Sequence, residues 1–105
     1  MRAIHLRLGN YIQEANELFS AQVTSQAEFD AWSKRVDKWT KKTLSWLNEA
    51  LPISASARFA AMDRPGYTFG NSFNRDHDDI RSLLLKRKGV LEDVARDHDF
   101  LSLAK

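Results

Sequence analysis

The chain has 105 residues, of which 43% are hydrophobic and 29% are charged, and its formal net charge is +2. This length and composition are typical of one folded domain and exclude an intrinsically disordered chain. There is no cysteine, which excludes disulfides, thiolate metal sites and a cysteine nucleophile. The N-terminal segment lacks a continuous apolar core, and no apolar run approaches the roughly 20 residues of a membrane span. We therefore expect one cytoplasmic domain over residues 1–105.

The first predicted helix covers residues 2–20. Gly9 lies inside it and weakens the prediction slightly, because glycine in a helix interior is unfavourable by about 1 kcal/mol relative to alanine. A polar connection, SAQVTSQ, follows. The helix itself is indicated by apolar residues at three- and four-residue steps, namely Ile4, Leu8, Tyr11, Ile12, Ala15, Leu18 and Phe19.

The second predicted helix covers residues 26–51. Ser25 and Glu28 have the spacing of a capping box at its beginning. Pro52 ends it, because the residue before a proline is disfavoured in the helical region of backbone space.

Three tryptophans, Trp32, Trp39 and Trp46, recur at seven-residue intervals along this helix, at the edge of its apolar arc. Aromatic residues at helical spacing usually pack between helices, with the indole N–H bonded at the rim. The alternative is that one or two of them are exposed anchors for a partner, since tryptophan and arginine are enriched at interface hot spots. Both interpretations can hold in one molecule, with Trp46 buried and Trp32 at a rim.

A run of cations lies beside the tryptophans on the same helix. Asp37 is the single acidic residue within residues 33–42. Such a run is most often a solvated helix face. The functional alternative is salt-dependent contact with nucleic-acid phosphates, with indoles stacking on single-stranded bases, although no recognised nucleic-acid module surrounds it. The five cations are Lys34, Arg35, Lys38, Lys41 and Lys42.

Residues 52–75 differ in character and predict a loop. Their first part is compatible with one short helix capped by Ser54 or Ser56. The segment DRPGYTFGNSFN combines turn residues with aromatics and predicts an ordered loop that covers the open side of a bundle. The alternative is a loop that contacts a peptide or ligand, because loops on rigid scaffolds often carry function. The candidate partner-binding residues are therefore Trp32, Arg35, Trp39, Trp46, Tyr67 and Phe69.

The third predicted helix covers residues 76–103. Asp76, Asp78 and Asp79 suit the positive end of its dipole, and Gly89 is a candidate for a bend or break. Strand-like alternation is absent, so the sequence predicts an all-α fold: a three- to four-helix antiparallel bundle with an ordered aromatic loop between the second and third helices. The apolar stripe of the third helix consists of Ile80, Leu83, Leu84, Val90, Leu91, Val94 and Leu101.

Two DHD tripeptides, residues 76–78 and 97–99, raise the question of a metal site. On one helix, at about 1.5 Å per residue, they would lie roughly 30 Å apart, and neighbouring residues within each tripeptide do not face one another. No nucleophile elbow or phosphate-binding glycine loop accompanies the three histidines. The sequence predicts no metal site, no cofactor and no enzymatic activity.

Three segments, EFDAWSKRVDKWTKKTLSWLNEAL, SARF and IRSLLLKRKGVLEDV, resemble helical modules at the N-termini of bacterial antiviral-defence effectors. The resemblance consists of spacing and aromatic placement, departs at residues 64–74 and involves no catalytic residue. It implies a sensing or assembly module, within a longer protein or as a stand-alone bacterial or phage relative. We therefore expect a non-enzymatic helical interaction or self-assembly module. The alternative is a small nucleic-acid-binding regulator that uses the basic face of the second helix.

Overall fold

The computed structural model describes residues 2–62, 64, 66, 69 and 72–96. Over these residues the predicted all-α class is confirmed, with helix bounds that agree with prediction to within one residue where they can be compared. The predicted continuation of the last helix to residue 103 lies outside the described residues. The helices are α1 (Arg2–Ser20), α2 (Gln26–Ala50), α3 (Ile53–Ala60) and α4 (Arg75–Arg96).

The first two long helices are antiparallel. The indole N–H of Trp32 donates to the carbonyl of Leu18 at 2.7 Å, and that of Trp39 donates to the carbonyl of Tyr11 at 3.0 Å. Two residues seven positions apart on α2 therefore bond to two residues seven positions apart on α1, in the reverse order. These bonds fix the register of the two helices and give each buried indole N–H an acceptor.

The last helix, α4, is antiparallel to α1. Arg81 near its beginning packs on Phe19 at the end of α1, and Lys88 one heptad later donates to Asn16. The helix α1 is thus antiparallel to both α2 and α4, and α2 and α4 are parallel to each other, with the beginning of α2 next to the beginning of α4. The short α3 packs against α2 and α4. The apolar stripes of the four helices meet in one core, whose largest fully buried side chains include Leu8, Leu18, Trp39, Leu47, Phe59, Leu84 and Leu91.

The beginning of α2 has the predicted capping box. The backbone N–H of Glu28 donates to Ser25 Oγ at 3.2 Å, which satisfies one of the free donors of the first turn. The Glu28 carboxylate accepts from the hydroxyl of Thr24 at 2.6 Å, and this bond holds the pKa of Glu28 below its usual range. At the other end, Leu51 has an extended backbone before Pro52, as predicted.

The expected serine cap of α3 is wrong, and so is the break considered at Gly89 of α4. No side chain caps α3: Pro52 occupies the N-cap position, and Ser56 donates within the helix to the carbonyl of Ile53 at 3.0 Å. The fixed φ of proline sets the chain direction there without a serine cap. In addition, α4 continues through Gly89, because the burial of the neighbouring Val90 and Leu91 outweighs the glycine cost of about 1 kcal/mol.

Thr43, in the middle of α2, is fully buried, and its hydroxyl has no hydrogen-bond partner among the described residues. Burying an unpaired hydroxyl is unfavourable, and valine has the same branched shape without it. We therefore expect Thr43→Val to raise the free energy of unfolding by about 1 kcal/mol in urea denaturation.

Thr40 provides the control for this substitution, since its hydroxyl donates to the carbonyl of Val36 at 2.8 Å. Thr40→Val removes a satisfied group and should not stabilise the protein. A loss of stability in Thr43→Val would mean that the buried hydroxyl is hydrogen-bonded after all.

Candidate functional site

The tryptophans of α2 divide into two buried residues and one at the surface. Trp39 is 0% exposed and Trp32 is 3% exposed, so the packing interpretation describes both, and neither presents a surface to a partner. Trp46 is half-buried, which reverses the suggested order of a buried Trp46 and a rim Trp32. A heptad row drifts by roughly 20° per repeat on a straight helix, and this drift carries Trp46 towards the polar edge of α2.

The basic face of α2 consists of Lys34, Arg35, Lys38, Lys41 and Lys42, all of them exposed. Two of the five are held by carboxylates: Lys41 pairs with Asp37 on the same helix at 2.9 Å, and Lys42 pairs with Glu14 of α1 at 3.0 Å.

The other three, Lys34, Arg35 and Lys38, form no ion pair with any described residue. They are adjacent on the helix surface, because residues three and four apart are neighbours there. The structure thus leaves a compact group of cations without an ion pair to any described residue at the N-terminal end of the basic face.

A shallow depression separates the basic face from α1. It has a volume of about 220 Å³ and is lined by Arg35, Lys38 and Lys42 of α2 and by Glu14 and Leu18 of α1. Leu18 is only 2% exposed, so the accessible lining of the depression is charged, with three cations and one carboxylate.

An aromatic contact chain connects this depression with Trp46. The ammonium group of Lys42 lies 5.6 Å from the centre of the Tyr11 ring, and the Tyr11 ring lies 5.4 Å from that of Trp46. The half-buried indole therefore adjoins Lys42, at the C-terminal end of the basic face.

The aromatic loop packs against the bundle, as expected for Phe69 and Phe73. Phe69 is half-buried, and its ring lies edge-on to Phe19 at 5.4 Å. Phe73 stacks on Phe29 at 6.2 Å. Tyr67, the other candidate partner-binding residue of this loop, lies outside the described residues.

A buried polar cluster at the beginning of α4 was not predicted from the sequence. Arg81 is 8% exposed. Its guanidinium carbon lies 4.8 Å from the ring centres of both Phe19 and Phe69, and it donates to Ser72 Oγ at 3.0 Å. Arg81 thereby ties the loop to α1.

His77 is the second member of this cluster and is 3% exposed. Its Nδ1 accepts from the backbone N–H of Phe73 at 2.8 Å, so a neutral imidazole carries its proton on Nε2. The ring lies edge-to-face with Trp32 at 4.7 Å. Burial lowers the pKa of His77, nearby Arg81 lowers it further, and Asp78 opposes them.

The signal that could have revealed His77 was present in the sequence. His77, Leu84 and Leu91 recur at seven-residue intervals, which places the histidine on the apolar stripe of α4. Asp78 had been assigned only to the helix dipole. It also accepts hydrogen bonds from the backbone N–H of Phe69 and from the hydroxyl of Ser72, both at 2.8 Å. Side chains in the first DHD tripeptide therefore anchor the loop, whereas the second tripeptide lies outside the described residues.

Within the described part of the chain, no group of three histidine, aspartate or glutamate side chains could hold a metal ion. None of the described helices combines the length and the apolar character needed to cross a membrane. Comparison with known proteins finds no matching family model, no matching curated protein and no matching solved structure.

Proposed function

We propose that the protein is a non-enzymatic helical interaction module that binds an acidic protein surface through the basic face of α2 and the adjoining Trp46. The observation that carries this proposal is the group Lys34, Arg35 and Lys38, which forms no ion pair with any described residue. The same basic face ends at Lys42, which adjoins the half-buried Trp46 through the Tyr11 ring. Arginine and tryptophan are among the residues that contribute most at interfaces. Trp32 and Trp39 support this surface from the core and do not touch the partner.

A protein partner is favoured over nucleic acid because carboxylates interrupt the basic face. Five cations and two carboxylates, Asp37 and Glu14, give it a net charge of +3. Those carboxylates would repel phosphates but could pair with cations at the rim of a protein interface. Complementary charge of this kind raises the rate of association and selects the partner.

The partner is either another protein or a second copy of the chain. The resemblance to modules of antiviral-defence effectors supports the role of a cytoplasmic sensor or adaptor, for which both kinds of contact are reasonable. Light scattering distinguishes them, because self-association gives a mass that rises with concentration and a foreign partner does not.

The test is a variant that reverses the charge of these three cations, with the substitutions Lys34→Glu, Arg35→Glu and Lys38→Glu combined. Exposed substitutions of this type usually change stability by no more than about 0.5 kcal/mol each, so the fold should persist in circular dichroism. We expect the variant to lose the concentration-dependent mass of the wild type, or to lose the proteins that wild-type chain captures from lysate.

The matched control reverses three exposed arginines outside this face, Arg7, Arg75 and Arg96, with the same change of net charge. It should behave as the wild type does. If both variants lose binding equally, net charge rather than the basic face is responsible. If the wild type is monomeric and captures the same proteins as the reversed variant, the proposal is wrong.

A small nucleic-acid-binding regulator is the second candidate, favoured by the same three unneutralised cations. The logarithm of the binding constant should fall by about 0.7–0.9 per phosphate contact for each tenfold rise in salt concentration. Because three cations neutralise few phosphates, the total salt dependence should be small. A mobility-shift assay with single-stranded and duplex nucleic acid at two salt concentrations tests it. Absence of binding at the lower concentration eliminates this candidate.

A further inference from the structure

We propose that His77 is a pH-sensitive latch: protonation of its imidazole breaks the hydrogen bond from Phe73 and releases the end of the aromatic loop from the bundle. The latch is defined here as the bond from the Phe73 backbone N–H to His77 Nδ1. This inference does not use the cations of the basic face and concerns the place where the loop meets the end of α1 and the beginnings of α2 and α4.

The latch holds its end of the loop at a buried position. Phe73 donates to His77 Nδ1 at 2.8 Å while its ring stacks on Phe29. The imidazole lies 4.7 Å from the Trp32 ring centre and 6.2 Å from that of Phe29. Its Nε2 is buried and has no hydrogen-bond partner among the described residues. The Nδ1 bond is therefore the polar contact that fixes the imidazole ring.

Protonation changes this contact from attractive to repulsive. In the imidazolium ion both ring nitrogens are donors, so Nδ1–H would face the Phe73 N–H with no acceptor between them. The charge would also be placed at a position that is only 3% exposed, where nothing described accepts a bond from Nε2–H. Opening of the loop relieves both penalties, because water can then solvate the charged ring.

The surroundings contain little that would compensate a charged imidazole. On α4 itself, Arg81 disfavours it and Asp78 favours it. On α2 the residues that contact the imidazole are Phe29 and Trp32, which are uncharged. A cleft of about 480 Å³ lies beside His77 and Arg81, and residues 19–24, which form the rest of its lining, are uncharged as well. The balance favours the neutral ring in the latched state.

The direction of the pH effect follows from this balance. Burial and Arg81 lower the pKa of His77 in the latched state, whereas the ring of an open loop has the ordinary value of about 6.5. The open state thus binds protons more readily, so the latch is fully effective above pH 6.5 and weakens as pH falls below it towards the lowered latched pKa.

Hydrogen exchange of the Phe73 amide, measured by NMR on the full chain, tests the latch directly. After correction for intrinsic exchange rates, its protection factor should fall between pH 7.5 and 5.5, by at most about tenfold, the limit set by an open-state pKa near 6.5. The imidazole resonances of His77 should titrate at lower pH than those of an exposed histidine, because burial and Arg81 lower the pKa of the latched ring. As an internal control, the Leu51 amide, bonded to the Leu47 carbonyl at 3.1 Å, should keep its protection.

Two variants separate the latch from other effects of acid. His77→Asn places an amide oxygen near the position of Nδ1, where it can accept from Phe73 without titrating, and should abolish the pH dependence. His5→Asn, an exposed histidine on α1, should leave it unchanged. Constant Phe73 protection in the wild type, or a decline that persists in His77→Asn, would overturn the proposal; if His77→Asn does not fold, the wild-type titration alone decides.

Discussion

Trp39→Ala is expected to lower the free energy of unfolding by about 3–5 kcal/mol, the usual range for truncation of a buried tryptophan. Trp39 is 0% exposed at the centre of α2. Its indole N–H is bonded to Tyr11 of α1, and its ring lies 5.7 Å from that of Phe59 on α3. The side chain thus joins three helices, and its removal leaves a cavity that helices fixed on every side cannot close.

The other tryptophans provide the comparison, measured by chemical denaturation under identical conditions. Trp32 is also buried, but it lies where the loop covers the bundle, and a less constrained site collapses more easily around a cavity. Trp46 is half-buried and should have the smallest effect. Trp39→Phe, which keeps a ring but removes the N–H donor, should cost about 1 kcal/mol for the lost bond, in addition to the smaller ring. A larger effect of Trp32→Ala than of Trp39→Ala would contradict this order.

Arg81→Ala is expected to lower the free energy of unfolding by about 2–4 kcal/mol. The guanidinium stacks on Phe19 and Phe69, and a partly desolvated cation–π contact contributes up to about 2 kcal/mol. The hydrogen bond to Ser72 involves a charged donor and contributes about 1.5–3 kcal/mol. These contributions overlap, because one side chain makes both contacts, so they do not add in full.

Arg96→Ala is the matched control, since Arg96 lies on the same helix but its side chain is 76% exposed and pairs only with Asp93 three residues away. Exposed ion pairs contribute about 0–1 kcal/mol. Arg81→Lys should remain destabilising, because lysine keeps the charge but lacks the planar group that stacks between two rings. Equal effects of Arg81→Ala and Arg96→Ala in urea denaturation would show that the stacking does not stabilise the fold.

The helices themselves could be predicted from local chemistry. The capping box of Ser25 and Glu28 and the stop at Pro52 both involve residues close together in sequence, so their physical effect does not depend on the rest of the fold. The apolar periodicity likewise indicated which faces of the long helices would be buried. The break considered at Gly89 does not occur, because the burial of neighbouring side chains keeps α4 continuous there. Helix propensity alone does not include that burial.

The site residues were less predictable. The five cations of α2 look equivalent in the sequence. Only the position of α1 decides that Glu14 neutralises Lys42, whereas Arg35 and Lys38 have no ion pair within the part of the chain that the structure describes. Likewise, the heptad spacing of the tryptophans does not reveal which one reaches the surface. That depends on which neighbouring elements cover each position.

By itself the sequence determined the all-α class, the beginnings of the long helices and the basic character of one face of α2. These features arise from contacts within about one helical turn, and their spacing is visible in the chain. Only the tertiary structure decided that Trp32 and Trp39 are buried with their indole N–H groups bonded to carbonyls of α1. The same holds for the contacts by which His77 and Arg81 anchor the aromatic loop. Each of those outcomes joins residues that are distant in sequence, and the free energy of such a contact depends on burial and geometry that no local pattern contains.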